Sequence, residues 1–351
     1  MKTNTLIVGG GLTGLSLAGR LQRAGHDFQL LEGRARLGGR IKSLQVDGAA
    51  FDLGPSWIWP GQTRVARLLQ ELGLRTFAQW ADGVQLYEQP GGAVIQNRGF
   101  MSMAGSYRIE GGTTTLTNTL AGGLDPDRLH LNTPALRISD RPRGVETAAE
   151  FVEASRIVLA VPPRIAAELS FDPILSVDAV ASLRSVPTWM APHAKFVAVY
   201  RTPFWRAHGL SGDASSRRGP MIEIHDASPE DGTLGAMFGF IGVPAAARAN
   251  SADAVAQAAL DQLVNLFGSQ AGAPLSTKLE DWSQAPFTTT QADLAAPQGH
   301  PAYEVLPQLG PLWDGNLIIT SSEIGIDNCG LIEGALAASE RAAAQILATN
   351  P

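Results

Sequence analysis

The sequence has 351 residues, 44% apolar and 17% charged, with a formal net charge of −6. That length suggests about two domains, and the composition supports large cores and excludes a mainly disordered chain. The acidic balance argues against nucleic acid, the single Cys329 excludes an internal disulfide, and no run of about 18 apolar residues marks a membrane span.

The chain opens Met-Lys-Thr-Asn and passes at once into TLIVGGG, which lacks the cleavage pattern of a leader, so a cytoplasmic protein is expected. Thr5–Val8 reads as a buried strand. A helix is expected from Leu12 to Ala24, stopped by Gly25, and FQLLE at 28–32 reads as a second strand. Between strand and helix stands Gly9-x-Gly11-x-x-Gly14. The first glycine permits a tight turn, the second a close approach to a pyrophosphate, and the third helix–strand packing. The helix start at Leu12 and Thr13 then offers free N–H groups to phosphates. Glu32 closes the second strand, where a carboxylate suits ribose hydroxyls. The following E-x-x-x-R-x-G-G-R, from Glu32 through Arg36, Gly38 and Gly39 to Arg40, adds a second phosphate-facing segment. A plain NAD fold does not need that segment; a flavin dinucleotide does.

Further on, Thr63 is placed to cap a helix over 64–72 that Gly73 ends. RIVLAVPP at 156–163 reads as a buried strand stopped by prolines. Residues 186–243 look β-rich, with KFVAVY, MIEIH and GAMFGFIGV as strands, and 252–267 reads as a helix. GNLIITSSE at 315–323 reads as a last buried strand before a helix over 331–347. In MIEIH, alternation puts Ile222 and Ile224 on one face and Glu223 and His225 on the other. HAKFVAVY carries the puzzle: Lys195 shares a strand face with Val197 and Val199. A solvent-directed amine on an apolar stem is the plain structural explanation.

These blocks together resemble the flavin-containing amine oxidase family, the monoamine oxidase and L-amino-acid oxidase relatives. The resemblance rests on the glycine loop, FDLGPSWIWPGQ (51–62), RIEGGTTTLTNTLAGGL (108–124), IVLAVPP, KFVAVYRTPFWRAHGLSG (195–212) and GNLIITSSEIGIDNCGLIEGALAASERAA (315–343). It implies an α/β, two-domain FAD-binding fold with interleaved segments: residues 1–77, 107–185 and 285–351 for FAD, and residues 78–106 and 186–284 for substrate. It implies cofactor contacts from Gly33, Arg34, Gly54, Pro55, Ser56, Trp57, Pro134, Val161, Trp282, Ser322, Glu323, Gly330, Leu331 and Ile332. It also implies a catalytic part for Lys195, reaching a water bridged to flavin N5 and assisting reaction with dioxygen.

The chain departs from the family in two places. The paired upright aromatics of monoamine oxidases fall at Phe287 and Leu331, and only one of these is aromatic. The position of the covalent-FAD cysteine falls at Pro286, so FAD is expected to be non-covalent. The substrate-domain insertion at 78–106 is short, which predicts a more open flavin face. Trp59, Ile222, Ile224, Phe287 and Leu331 are taken as substrate-pocket candidates. The implied reaction is amine oxidation by hydride transfer from the α-carbon to flavin N5, giving an imine and then hydrogen peroxide. The alternatives are a renalase-like oxidase of reduced nicotinamides, a flavin-dependent desaturase, and a non-catalytic flavin-bound partner. The six histidines have no metal-binding spacing, and no nucleophile-elbow G-x-S-x-G occurs. The expected partners are a small amine and dioxygen; a homo-oligomer is compatible with the sequence.

Overall fold

Strand Lys2–Val8 lies at the centre of the first sheet because its apolar residues are buried on both faces, as parallel strands under helices require. It pairs in parallel with Phe28–Leu31 on one side and Phe151–Leu159 on the other. The computed structural model describes residues 1–97, 103–295, 300–301, 303, 311–324 and 327–348. The sheet order is Ser170–Asp172, Arg137–Asp140, Arg143–Glu146, Phe151–Leu159, Lys2–Val8, Phe28–Leu31 and Leu129–His130, with Leu317–Ile319 also pairing with Phe151–Leu159. The last strand is shorter than its apolar run suggests. Its neighbour ends at Leu159, which is in register with Ile319, so among the described residues the ladder stops there.

Helix Leu12–Arg23 follows the first strand and packs on the C-terminal helix Ile332–Ala348, where the Ser16 and Ser339 hydroxyls meet at 2.9 Å. The expected cap of helix Thr63–Glu71 is different. Thr63 is its first residue and gives no side-chain cap. Instead the buried carboxylate of Glu333 accepts the Arg64 and Val65 N–H groups at 3.0 and 2.9 Å. A glutamate from the far end of the chain thus satisfies two donors that a local residue was expected to serve.

The second sheet runs Ser276–Asp281, Ala194–Tyr200, Gly235–Ile241, Met221–Asp226, Leu210–Ser216, Val84–Glu88 and Val94–Gln96. Strand Ala194–Tyr200 is buried along its whole length and separates two apolar layers. Phe196, Ala198 and Tyr200 pack under helix Ala252–Phe267, against Ala259 and Leu263. Val197 and Val199 point the other way, against Phe51, Leu53 and Phe238. Each such valine contributes about 1.5–3 kcal/mol by burial. Lys195 is on this second face, turned towards residues that follow the first domain's glycine segments.

Candidate flavin and substrate site

Gly9 has φ +111°, and a Cβ there would lie 2.5 Å from the Ala160 carbonyl oxygen. At Gly14 a Cβ would lie 1.9 Å from the Gly9 carbonyl oxygen, so the third glycine is fixed by the turn itself. Gly11 differs: the nearest atom to a Cβ would be Gly39 Cα, at 3.8 Å. Its free side is the cavity. The helix that begins at Leu12 has no side-chain cap and no acidic residue in its first turn, so its N–H groups and dipole are available to an anion.

Glu32 is buried, and its oxygens accept the N–H groups of Gly10 and Arg34 at 2.8 and 2.9 Å. A carboxylate has about four acceptor positions, so Glu32 fixes the loop and retains capacity on the cavity side. The second glycine pair comes close to the first: Gly11 and Gly38 form a parallel bridge. Of the two arginines of this motif, only Arg40 faces the cavity. Arg36 is used inside its own loop, donating to the carbonyls of Leu37, Gly39 and Ile41. Arg40 lines the cavity but is paired with Glu323 at 2.5 Å. Burial opposes the Glu323 charge, and Arg40 outweighs it, holding the carboxyl below its ordinary range.

A cavity of about 610 Å³ runs from this loop to the second sheet. Lys195 lies in its wall and is only 2% exposed, so the amine does not reach for solvent. Its Nζ donates to Ser56 Oγ at 2.7 Å and to the Gly54 carbonyl at 3.1 Å. The same nitrogen lies 3.7 Å from the centre of the Phe238 ring. Burial brings its pKa down to about 7; Asp52 opposes this and Arg108 reinforces it. Behind this wall, His225 bridges Asp213 and Glu223, each at 2.8 Å, with Trp57 edge-on to its ring. Burial opposes protonation of His225, and the flanking carboxylates outweigh it.

The cavity collects most of the expected residues. Gly9, Gly11, Leu12, Thr13, Glu32, Gly33, Arg34, Gly38, Gly39 and Arg40 line it at the dinucleotide end, with Pro134 and Val161. Gly54, Pro55, Ser56, Trp57, Trp282, Ser322, Gly330, Leu331 and Ile332 line it further along, and Trp59 and Ile222 are exposed at its wall. Three expectations are corrected. Gly14 and Glu323 are behind the wall, the one packed on Gly9 and the other holding Arg40. Ile224 is 0% exposed and belongs to the core under helix Ala252–Phe267. A register shift between Met221 and Glu223 breaks the alternation, so Ile222 and Glu223, not Ile222 and Ile224, line the cavity.

Phe287 lines the cavity but packs on Gly33, with the Arg34 guanidinium 5.7 Å from its ring centre. Arg34 also donates to the Pro286 carbonyl and to Thr288 Oγ1, tying this segment to the end of the second strand. Phe287 is therefore beside the expected ribose-binding residue and not opposite Leu331 as a cage partner. Sequence reasoning missed Trp189, Met190 and His193, which line the cavity from the turn before the lysine strand. The signal was present for His193, two residues before Lys195 and so on the same side of an extended chain.

The residues fit a bound dinucleotide flavin. The Gly11 side is open, the helix start is uncapped, and the buried Ser321 Oγ on the cavity wall has no protein partner among the described residues. Among those residues no helix is long and apolar enough to cross a membrane, and no cluster of potential metal ligands occurs.

Comparison with known proteins agrees with this geometry. A profile described as flavin containing amine oxidoreductase matches residues 12–90 and 80–347. Putrescine oxidase of Kocuria rosea is 23% identical, across 99% of this chain and 95% of that protein. Amine oxidase [flavin-containing] B of Mus musculus is 22% identical, across 99% of this chain and 86% of the relative. Among solved structures, putrescine oxidase bound to putrescine superposes with a TM-score of 0.83 at 22% identity, covering 99% of both chains. Cyclohexylamine oxidase from Brevibacterium oxydans gives 0.82 at 20% identity, covering 98% of both. The chain belongs to the flavin containing amine oxidoreductase family and is an FAD-dependent oxidoreductase.

Proposed function

We propose that this protein oxidises a small amine to its imine, with dioxygen as the final electron acceptor. The observation that carries this reading is the single cavity joining the glycine loop at Gly11 to the buried amine of Lys195. When bound, FAD supplies the two-electron acceptor for the substrate's α-carbon hydrogen and passes the electrons to dioxygen. The Gly9–Gly14 turn, Glu32 and the Gly38–Gly39 segment would hold its dinucleotide part. Residues 78–106 and 186–284 would form the substrate side, and the remainder the cofactor side. Pro286 at the expected attachment position has no thiol, and Cys329 is buried, which supports non-covalent FAD.

Lys195 keeps a donor group on the cavity wall, oriented by Gly54 and Ser56. A cation there stabilises negative charge that develops during electron transfer to dioxygen. Trp57, Trp59, Phe240 and Ile222 give the wall near Glu223 an apolar character that suits an amine with a hydrocarbon body.

Anaerobic bleaching of the bound flavin's visible absorbance tests this reading. The purified protein is mixed with amines and amino acids in one series and with reduced nicotinamides in another. Rapid bleaching by an amine is expected. Bleaching by nicotinamides alone would overturn the amine reading.

A further inference from the structure

His193 is a cavity residue with no part in the site as described so far. Its carbonyl accepts the Trp282 N–H at 3.0 Å, which continues the ladder that pairs Ala194 with Asp281 and Lys195 with Glu280. The histidine is thus fixed one strand repeat, about 6.6 Å, before Lys195 on the same wall. Its Nδ1 is closed to solvent and makes no hydrogen bond among the described residues. Nε2 is not closed off in this way and is the ring nitrogen left to meet the cavity. A neutral ring with its proton on Nδ1 presents the Nε2 lone pair there.

Resting on the amine reading above, we propose that His193 Nε2 accepts the proton of the substrate's ammonium group as the amine enters the cavity. The ammonium N–H bond breaks and its electron pair stays on the substrate nitrogen. An N–H bond forms on Nε2, and the proton then leaves to solvent water. The product of this step is the neutral amine, the form whose lone pair permits oxidation at the α-carbon.

Two features make the transfer feasible. Burial, then the Arg248 charge, lowers the His193 pKa from its ordinary value, so the ring is unprotonated and ready at neutral pH. An amine in this wall is also weakened as a base: burial alone is the chief reason Lys195 stands at about 7. A substrate ammonium entering the same cavity meets the same desolvation. Lys195 is the less suitable acceptor, because the amine reading uses it as a cation towards dioxygen.

The charged groups around His193 are internally matched. Arg248 pairs with Asp281 at 2.7 Å, Arg40 with Glu323 at 2.5 Å, and Arg164 with Asp293 at 2.7 Å. Lys195 lies along the strand, and His300 stacks beyond Trp189 at 4.6 Å. None of these places a carboxylate within hydrogen-bond distance of the His193 ring among the described residues.

The test uses His193→Asn, which keeps an amide N–H near Met190 but has no base. Wild type and variant, both with FAD bound, are compared with phenethylamine, cyclohexylamine and 1,4-diaminobutane between pH 6.5 and 9.5. The β,β-difluoro analogue of phenethylamine, whose ammonium is far more acidic, is included. The variant is expected to lose about 10²-fold in kcat/KM at pH 7. The loss should shrink towards pH 9.5, as solution supplies neutral amine, and should nearly vanish for the difluoro substrate. A loss that is uniform over pH and substrates would overturn the inference, as would the pH-dependent pattern appearing in Lys195→Met instead. Failure of wild type to oxidise any of these amines sinks the amine reading itself. Ring-nitrogen NMR of wild-type holoenzyme labelled at histidine decides the tautomer independently, with His193→Asn assigning the signal. A proton found on Nε2, or a ring that titrates above the ordinary histidine range, would overturn the inference.

Discussion

The two ends of the cavity are built differently. At the dinucleotide end, the wall is built from backbone: bare glycines, an uncapped helix start and one carboxylate that braces two N–H groups. At the lysine wall it is built from side chains that reach the cavity from segments far apart in sequence, as Lys195, Ser56, Phe240 and Trp282 do. A backbone site excludes side chains and is specified within about thirty residues. A side-chain wall depends on sheet register, and one misplaced residue changes which groups face the ligand.

The sharpest way to break this contrast is to add side chains to two glycines of one loop. Gly14→Val places a Cβ 1.9 Å from the Gly9 carbonyl oxygen, so the turn cannot form. Loss of the folded protein is expected, seen as insoluble expression or a collapsed circular dichroism signal. Gly11→Val meets no protein atom closer than 3.8 Å at its Cβ. That variant should fold and purify colourless, with FAD affinity reduced by at least about 10²-fold, since the added atoms occupy the space of a pyrophosphate. If Gly11→Val bound FAD normally, the loop would not be the phosphate site.

The next effect belongs to the other end. Lys195→Met should retain FAD and slow reoxidation of the reduced protein by dioxygen about 10²-fold, the usual cost of removing one oriented electrostatic group. In wild type that rate should fall as pH rises through about 7, where Lys195 loses its proton, and the variant should show no such step. Stability gives a second reading with a fixed sign. The folded-state pKa is below the unfolded value, so between pH about 7 and 10.5 the unfolded chain holds the extra proton. Stability therefore rises with pH across that window, and Lys195→Met removes that rise. Thermal denaturation of both apoproteins at pH 7.5 and 9.5 should show the variant's advantage shrinking at the higher pH. An unchanged oxidative rate would remove Lys195 from the chemistry.

The dinucleotide end was legible in the sequence because its signal is local. Gly9, Gly11, Gly14 and Glu32 fall within one strand–turn–helix–strand unit, and spacing alone placed them. The lysine strand was legible for a similar reason: alternation along Ala194–Tyr200 holds without interruption. What escaped the sequence was set by distant partners. The cap of helix Thr63–Glu71 comes from Glu333, across 268 residues, and no local pattern announces it. Arg40 faces the cavity as expected of a phosphate-side residue, but its pairing with Glu323 could not be read locally, although both residues are singled out by their motifs. Phe287 was assigned by its position in a motif, and the tether from Arg34 to its neighbours Pro286 and Thr288 decides where it sits. His193 is in a turn whose shape depends on Arg248 donating to the Pro192 carbonyl, from a separate helix.

A smaller effect sharpens the account of Glu32. Its two oxygens hold the Gly10 and Arg34 N–H groups, and hydrogen bonds to a charged acceptor contribute about 1.5–3 kcal/mol each. Glu32→Gln keeps one acceptor oxygen and loses the charge. FAD affinity should fall about tenfold, measured by flavin release on dilution, with the absorbance of the bound fraction unchanged. A loss as large as that of Gly11→Val would mean that Glu32 carries the loop alone.

The mildest test separates the two faces of the Met221–Asp226 strand, where alternation failed. Ile222 is 51% exposed at the cavity wall, and Ile224 is 0% exposed in the core, although simple pleating would put them on one face. Ile224→Ala opens a cavity among Phe196, Met237 and Leu263 and should cost about 2–4 kcal/mol of stability. Once folded, it should leave KM unchanged. Ile222→Ala removes apolar surface of the cavity wall and nothing that the core needs. It should change KM by only a few-fold for amines with a hydrocarbon body, with no loss of thermal stability, because burying one methylene of a ligand is worth about 0.8 kcal/mol. Equal effects of the two substitutions on KM would restore simple alternation and remove the register shift between Met221 and Glu223 as the feature that selects which side chains meet the substrate.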